Sequence, residues 1–178
     1  VGPLGSLVDK SFVAVEHRRF DSVCEFFAGL TAASADPAAD FIDGVVFAGD
    51  DLVLNIARFA DIAGPPSDYT YLDAYWRSLR DQPQDTLSVR DWLWRWDSDW
   101  FWCSRNFGLQ RRWLRRLFGR ERLNSRTYTR LMRWNARWGL TRGLARLRGL
   151  HTESVIQDVD LPVDRAEPFL DFMLAEIG

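Results

Sequence analysis

"FIDGVVFAGDDLVLNIARFA", residues 41–60, decides the fold. Val45, Val46 and Phe47 stand before Gly49-Asp50-Asp51, and Leu52, Val53, Leu54 and Ile56 stand after it. Two such runs joined by a Gly/Asp turn predict an antiparallel hairpin. Upstream, "SFVAVEHRRF" (11–20) alternates well enough for another strand. Asp21 is placed to cap a helix whose Val23, Phe26, Phe27 and Leu30 share one face. Pro37 blocks that helix from continuing. Downstream, "DIAGPPSDY" reads as a loop, "YLDAYWRSLR" as a short helix and "DQPQDT" as a polar loop. "TESVIQDVDLPV" predicts a strand ending at Pro162, and Asp164 with Glu167 a capping-box start to a last helix. In that helix Ala166, Phe169, Leu170, Met173, Leu174 and Ile177 fall on one face. The order β-α-β-β, a helical insert, then β-α predicts an α+β fold: an antiparallel sheet with helices on one side and an arginine- and tryptophan-rich helical insert.

The insert opens with "DWLWRWDSDWFWC" (91–103), which holds five of the chain's nine tryptophans. Every even position from 92 to 102 is Trp except Ser98. That two-residue period predicts a strand over 88–97, with Trp92, Trp94 and Trp96 on one face and Arg95 and Asp97 on the other. Beyond Trp100 the spacing changes to three and four. Trp113, Leu114, Leu117 and Phe118 make one stripe, and Tyr128, Leu131, Met132, Asn135 and Trp138 another. Residues 100–148 are therefore expected to be mostly helical, broken near Gly119 and Gly139.

The chain has 178 residues, 47% hydrophobic and 27% charged, which is ordinary globular composition. Gly2 to Ser6 matches the scar of a cleaved expression tag, so residues 1–6 are set apart and 7–178 are expected to form one domain. No apolar run approaches the roughly 20 residues that cross a bilayer. Cys24 and Cys103 have no framework or metal spacing, which suits a reducing cytosol and gives no metal site. The net charge of −2 hides a segregation: fourteen arginines face a single acid, Glu121, between Arg105 and Leu150, while residues 1–104 carry seventeen acids and eight bases. A run of this kind is either a solvated helix face or a binding surface.

No P-loop, GxGxxG, GxSxG or HExxH occurs. His17 and His151 lack a Cys or carboxylate at ligand spacing and read as structural. On a strand, Asp97 and Asp99 would share a face about 6.5–7 Å apart, as paired acid and base or as an ordinary solvent-facing edge. Residue chemistry alone points to no self-sufficient active site.

"SVRDWLWRWDSDWFWCSRNFGLQRRWLRRLFGR" resembles a stretch of the flavin-dependent oxidoreductases related to Δ24-sterol reductase, of the vanillyl-alcohol-oxidase superfamily. Arg90, Trp94, Asp97, Phe107, Gly108, Leu117, Phe118 and Gly119 stand at places equivalent to the family pattern. "ESVIQDVDLPVDRAEPFLDFML" is similar to the family's closing strand and helix, with Gln157, Asp158 and Pro162 as fixed points. "FVAVEHRRFDSVCEFFAGL" is similar to the strand and helix that follow the flavin domain. The resemblance covers nearly the whole chain after residue 6, specifically in the first two stretches and loosely between them. It implies a cap domain that folds over FAD, with the cofactor bound mainly by an N-terminal domain absent from this chain. It implies a lipid-like or sterol-like substrate, and a cap that is inactive alone.

On that resemblance the substrate- or flavin-facing candidates are Asp158, Gln157, Trp94, Arg95 and Asp97. Regular alternation allows only one of Gln157 and Asp158 to face the pocket, and Asp158 is favoured because Val155 and Val159 suit a core. A tryptophan wall would bring contact area at low entropy cost, although the same rings serve equally well as core. The alternative to a cap is a membrane-surface module without catalysis. Trp113, Leu117 and Phe118 alternate with Arg112, Arg115 and Arg116, the composition of a helix lying in an anionic lipid interface. Nucleic acid is not an expected partner, since no fold motif supports it.

Overall fold

The computed structural model describes residues 10–61, 65–100, 109, 111–138 and 159–176. Four strands form one antiparallel sheet in the order β2-β3-β1-β4: β1 is Phe12–Phe20, β2 Phe41–Ala48, β3 Asp51–Ala60 and β4 Gln84–Ser88. The helices are α1 (Val23–Ser34), α2 (Tyr75–Asp81), α3 (Val89–Trp94), α4 (Arg112–Phe118), α5 (Ser125–Trp138) and α6 (Val163–Glu176). The chain adopts the expected α+β class and hairpin, and among the described residues of the insert the helices α4 and α5.

The helices flank both faces of the sheet, not one. On β3, Leu52, Leu54 and Ile56 pack with Phe26 and Ala33 of α1, and Leu170 of α6 rests on the same cluster. Val53 and Ala57 point the other way, into a cluster with Tyr75 and Leu79 of α2 and Trp92 of α3. A strand apolar on both parities must be covered on both faces, and the unbroken run from Leu52 to Leu54 already carried that signal. Gly44 on β2 lies beneath Phe26, and a Cβ there would run into the ring. Only glycine lets α1 sit this close.

The tryptophan run is not a strand. Ser88 accepts a hydrogen bond from the Asp91 amide at 3.0 Å, an N-cap that starts α3, and its hydroxyl donates to Asp91 Oδ2 at 2.6 Å. In helical phase Trp92 and Trp96 lie one turn apart and both meet Tyr75 edge-on, at 6.3 and 5.0 Å. Trp94 falls on the opposite side and is exposed. The fourth strand comes instead from "QDTLS", partly inside the expected polar loop, where it pairs with β1.

Two helix starts are displaced by a residue or two. Ser22, rather than Asp21, accepts from the Glu25 amide at 3.3 Å. Asp164 lies inside the first turn of α6 instead of preceding it, where a carboxylate favours the helix dipole. The face predicted for α6 is the half-buried one from Ala166 to Leu174. Gly119 ends α4 at φ 83°, with its amide donating to the Arg115 carbonyl at 3.0 Å. Of the strand expected over 152–162, the described residues 159–162 are not a strand and Val159 is exposed, while 152–158, the expected break at Gly139 and Ile177 lie outside the described residues.

Candidate functional site

Strand register sets the site. Asn55 on β3 is opposite His17 on β1 and opposite Asp43 on β2, so one polar row crosses three strands in the middle of an apolar face. Val15 and Ala57 flank it on one side and Val53 on the other, all buried. Paired residues of antiparallel strands put their side chains on the same face, here the face covered by Tyr75, Trp92 and Trp96.

Asn55 is bonded to Asp43 within the row, and His17 to groups outside it. Asn55 Nδ2 donates to Asp43 Oδ1. Arg95 donates through Nη2 to Asp43 Oδ2 at 2.5 Å and through Nη1 to the Trp92 carbonyl at 2.6 Å. Its guanidinium lies 3.5 Å from the centre of the Trp92 ring, a cation–π contact within the aromatic wall. At the other end, His17 Nδ1 is 2.8 Å from the Gln82 carbonyl oxygen and Nε2 is 3.4 Å from the Tyr75 hydroxyl. A carbonyl can only accept, so Nδ1 carries the proton and Nε2 offers a lone pair to Tyr75. Burial pushes the His17 pKa down, against the opposing pull of the Gln82 carbonyl. Burial likewise raises the Tyr75 phenol far above its ordinary range.

Two buried polar atoms in this group have no hydrogen-bond partner among the described residues: Asn55 Oδ1 and Arg95 Nε. Asn55 is 0% exposed, so its free acceptor carries a full desolvation cost of about 1–3 kcal/mol. One acceptor and one donor are thus left without partners among the described residues, beside Asp43, whose side chain is a third exposed.

A companion network fixes the wall's edge. Asp85 Oδ2 accepts from Tyr69 at 2.6 Å, and its Oδ1 accepts from Ser67 at 2.7 Å. Burial first, and the bond to Asp85 second, push the Tyr69 phenol up to about 12. Along the β4 edge the same segment borders a shallow depression of about 450 Å³ lined by Glu16, Arg58, Gln84 and Thr86. It opens at the uncovered end of the opposite sheet face.

The sequence candidates separate widely. Arg95 joins the row. Trp94 points to solvent, away from it. Asp97 neither pairs with Arg95 nor faces Asp99 as a partner acid: its Oδ1 accepts the Ser125 amide at 3.1 Å and so helps start α5. Gln157 and Asp158 lie outside the described residues. Of the interface candidates, Arg112, Trp113, Arg116 and Leu117 are exposed. Phe118 turns inward, edge-on to Trp100 at 5.8 Å. Arg115 is buried, contrary to its place in an interface. Its Nε donates to the Tyr71 carbonyl at 2.6 Å, Nη2 to the Ser98 carbonyl at 3.0 Å and Nη1 to the Leu109 carbonyl at 3.3 Å, and Asp99 lies 3.6 Å away.

Asp43, Asn55 and Tyr75 escaped the sequence reading, and His17 was taken as structural. A lone polar residue in an apolar strand was the available signal, and "IDGVV" and "LVLNIA" each contain one. Among the described residues no group of His, Cys, Asp and Glu could hold a metal ion. No family model, curated protein or solved structure matches the chain.

Proposed function

We propose that this chain is the substrate-covering cap of an FAD-dependent oxidoreductase that acts on a lipid-like or sterol-like substrate. The polar row carries this proposal: Asn55 Oδ1 and Arg95 Nε stand open inside a wall of Tyr75, Trp92 and Trp96. A greasy molecule with one polar group needs that combination, apolar area for its body and few convergent polar atoms to fix its orientation.

The described residues suit contact with a flavin ring or a substrate, and not retention of a dinucleotide. They include no glycine-rich loop to cradle a diphosphate, and the FAD would be held mainly by an N-terminal domain outside this chain. The flavin, when bound, supplies the electron transfer. This chain's part is orientation and exclusion of water. Arg95 Nε donates to an acceptor on the ring or the substrate, Asn55 Oδ1 receives a hydroxyl or N–H, and the indoles keep water out. His17, neutral through burial, holds the Tyr75 hydroxyl through Nε2. No helix of the described residues is long and apolar enough to cross a membrane.

The intact protein, purified by gel filtration, is expected to show the visible absorbance of oxidised flavin. Replacing Asn55 by Asp should weaken substrate binding while leaving that absorbance in place. A colourless intact protein ends the proposal.

A further inference from the structure

Two helices outside the polar row carry the same unusual outward pattern. On α4, Trp113 and Leu117 are one turn apart and exposed, beside Arg112 and Arg116, also one turn apart. On α5, Trp134 and Trp138 repeat the arrangement beside Arg130, Arg133 and Arg137. The inward sides of both helices, Leu114 and Phe118 on α4 and Tyr128 and Leu131 on α5, meet in one cluster around Trp100. The outward sides therefore belong to one packed unit. Leu117 is 76% exposed and Trp138 64%, so these residues are not used by the core. Single exposed apolar residues are ordinary, but two apolar pairs in helical register, each bordered by arginines, are a pattern.

The charges are also unspent. Residues 111–138 contain ten arginines and one acid, Glu121. Arg115 is consumed inside the fold and Arg112 pairs with Asp73 at 3.2 Å. Among the described residues, Arg116, Arg126, Arg130, Arg133 and Arg137 have no acid within ion-pair distance. The acidic part of the chain thus leaves this surface largely unneutralised.

We infer that the outward faces of α4 and α5 dock on an anionic lipid surface, the arginines meeting headgroups and Trp113, Leu117, Trp134 and Trp138 entering the interface. The match is of charge and of apolar shape. Indoles settle at the headgroup level and leucine enters the acyl boundary, whereas a nucleic acid would use the arginines and stacked rings but leave Leu117 in water. This inference stands on the exposed side chains and is independent of the cap proposal, because a colourless protein could still bind vesicles.

The test is co-sedimentation of the chain with phosphatidylcholine vesicles, with and without phosphatidylserine. Expected are binding to the anionic vesicles only and loss of binding as salt shortens the screening length to about 8 Å at physiological ionic strength. Arg130→Gln with Arg133→Gln and Arg137→Gln should weaken partitioning at least about tenfold. Trp134→Ser with Trp138→Ser should remove the part that salt leaves behind. All five positions are exposed or lack internal partners, so thermal melts should match the parent; if a variant unfolds, the salt and lipid dependence of the parent decides. No binding to anionic vesicles at low salt, equal binding to neutral ones, or preferential capture of a single-stranded oligonucleotide would each overturn the inference.

Discussion

Arg115 and Arg116 are adjacent, chemically identical and opposite in role. Arg115 fastens carbonyls of Tyr71, Ser98 and Leu109 to α4 and sits at 1% exposure beside Asp99. Arg115→Met would remove the donor to three carbonyls and the ion pair with buried Asp99, which should cost about 3–5 kcal/mol in denaturant unfolding. Arg116→Met should stay within about 0.5 kcal/mol, as surface changes do. Nothing in the sequence separates the two, because α4 has two apolar pairs, Trp113/Leu117 and Leu114/Phe118, and the pattern does not say which faces inward. His17 makes a second prediction. Its folded pKa is depressed by burial, so the unfolded chain takes up a proton first as pH falls. The stability associated with neutral His17 is complete above about pH 6.5 and declines below it until the folded form protonates too. His17→Gln should flatten that part of a stability-versus-pH curve, and an unchanged slope would show that His17 does not cause it.

At the scale of elements, the sheet was legible and the tryptophan run was misleading, for reasons found in single residues. β1, β2 and β3 announce themselves through β-branched runs around Gly49, and α1 and α6 through apolar residues at helical spacing. The tryptophans at 92, 94 and 96 imitate a strand by period alone. Period is a weak witness over so few residues, while Ser88 is an N-cap with a mechanism, accepting the Asp91 amide. Ser88→Ala should cost about 1 kcal/mol. Trp92→Ala should cost about 3–5 kcal/mol as a buried aromatic, and Trp94→Ala far less. Were 88–97 a strand, Trp92 and Trp94 would lie on opposite parity to Arg95 and respond alike. The candidate site was less legible than the fold, since it is assembled by register. Asp43, Asn55 and His17 come from three strands, and no local pattern foretells that they meet.

At the scale of the molecule, the sheet face bearing the polar row is the one that α2 and α3 cover. On the proposed cap role, this chain would orient a reaction without conducting it. The 178-residue chain supplied with free FAD should therefore show no substrate turnover, and measurable flavin-dependent reduction by it would contradict that division of labour.

The separation of charge along the chain has a further consequence. Residues 1–104 carry seventeen acids and eight bases, and 105–150 fourteen arginines and one acid, so stretches of opposite charge nearly cancel in sum. A body of this kind feels a torque before it feels a net pull. On the inferred docking, such a body would turn its exposed α4 and α5 arginines toward a negatively charged surface once within about 10 Å of it at roughly 0.1 M salt, and so arrive already oriented.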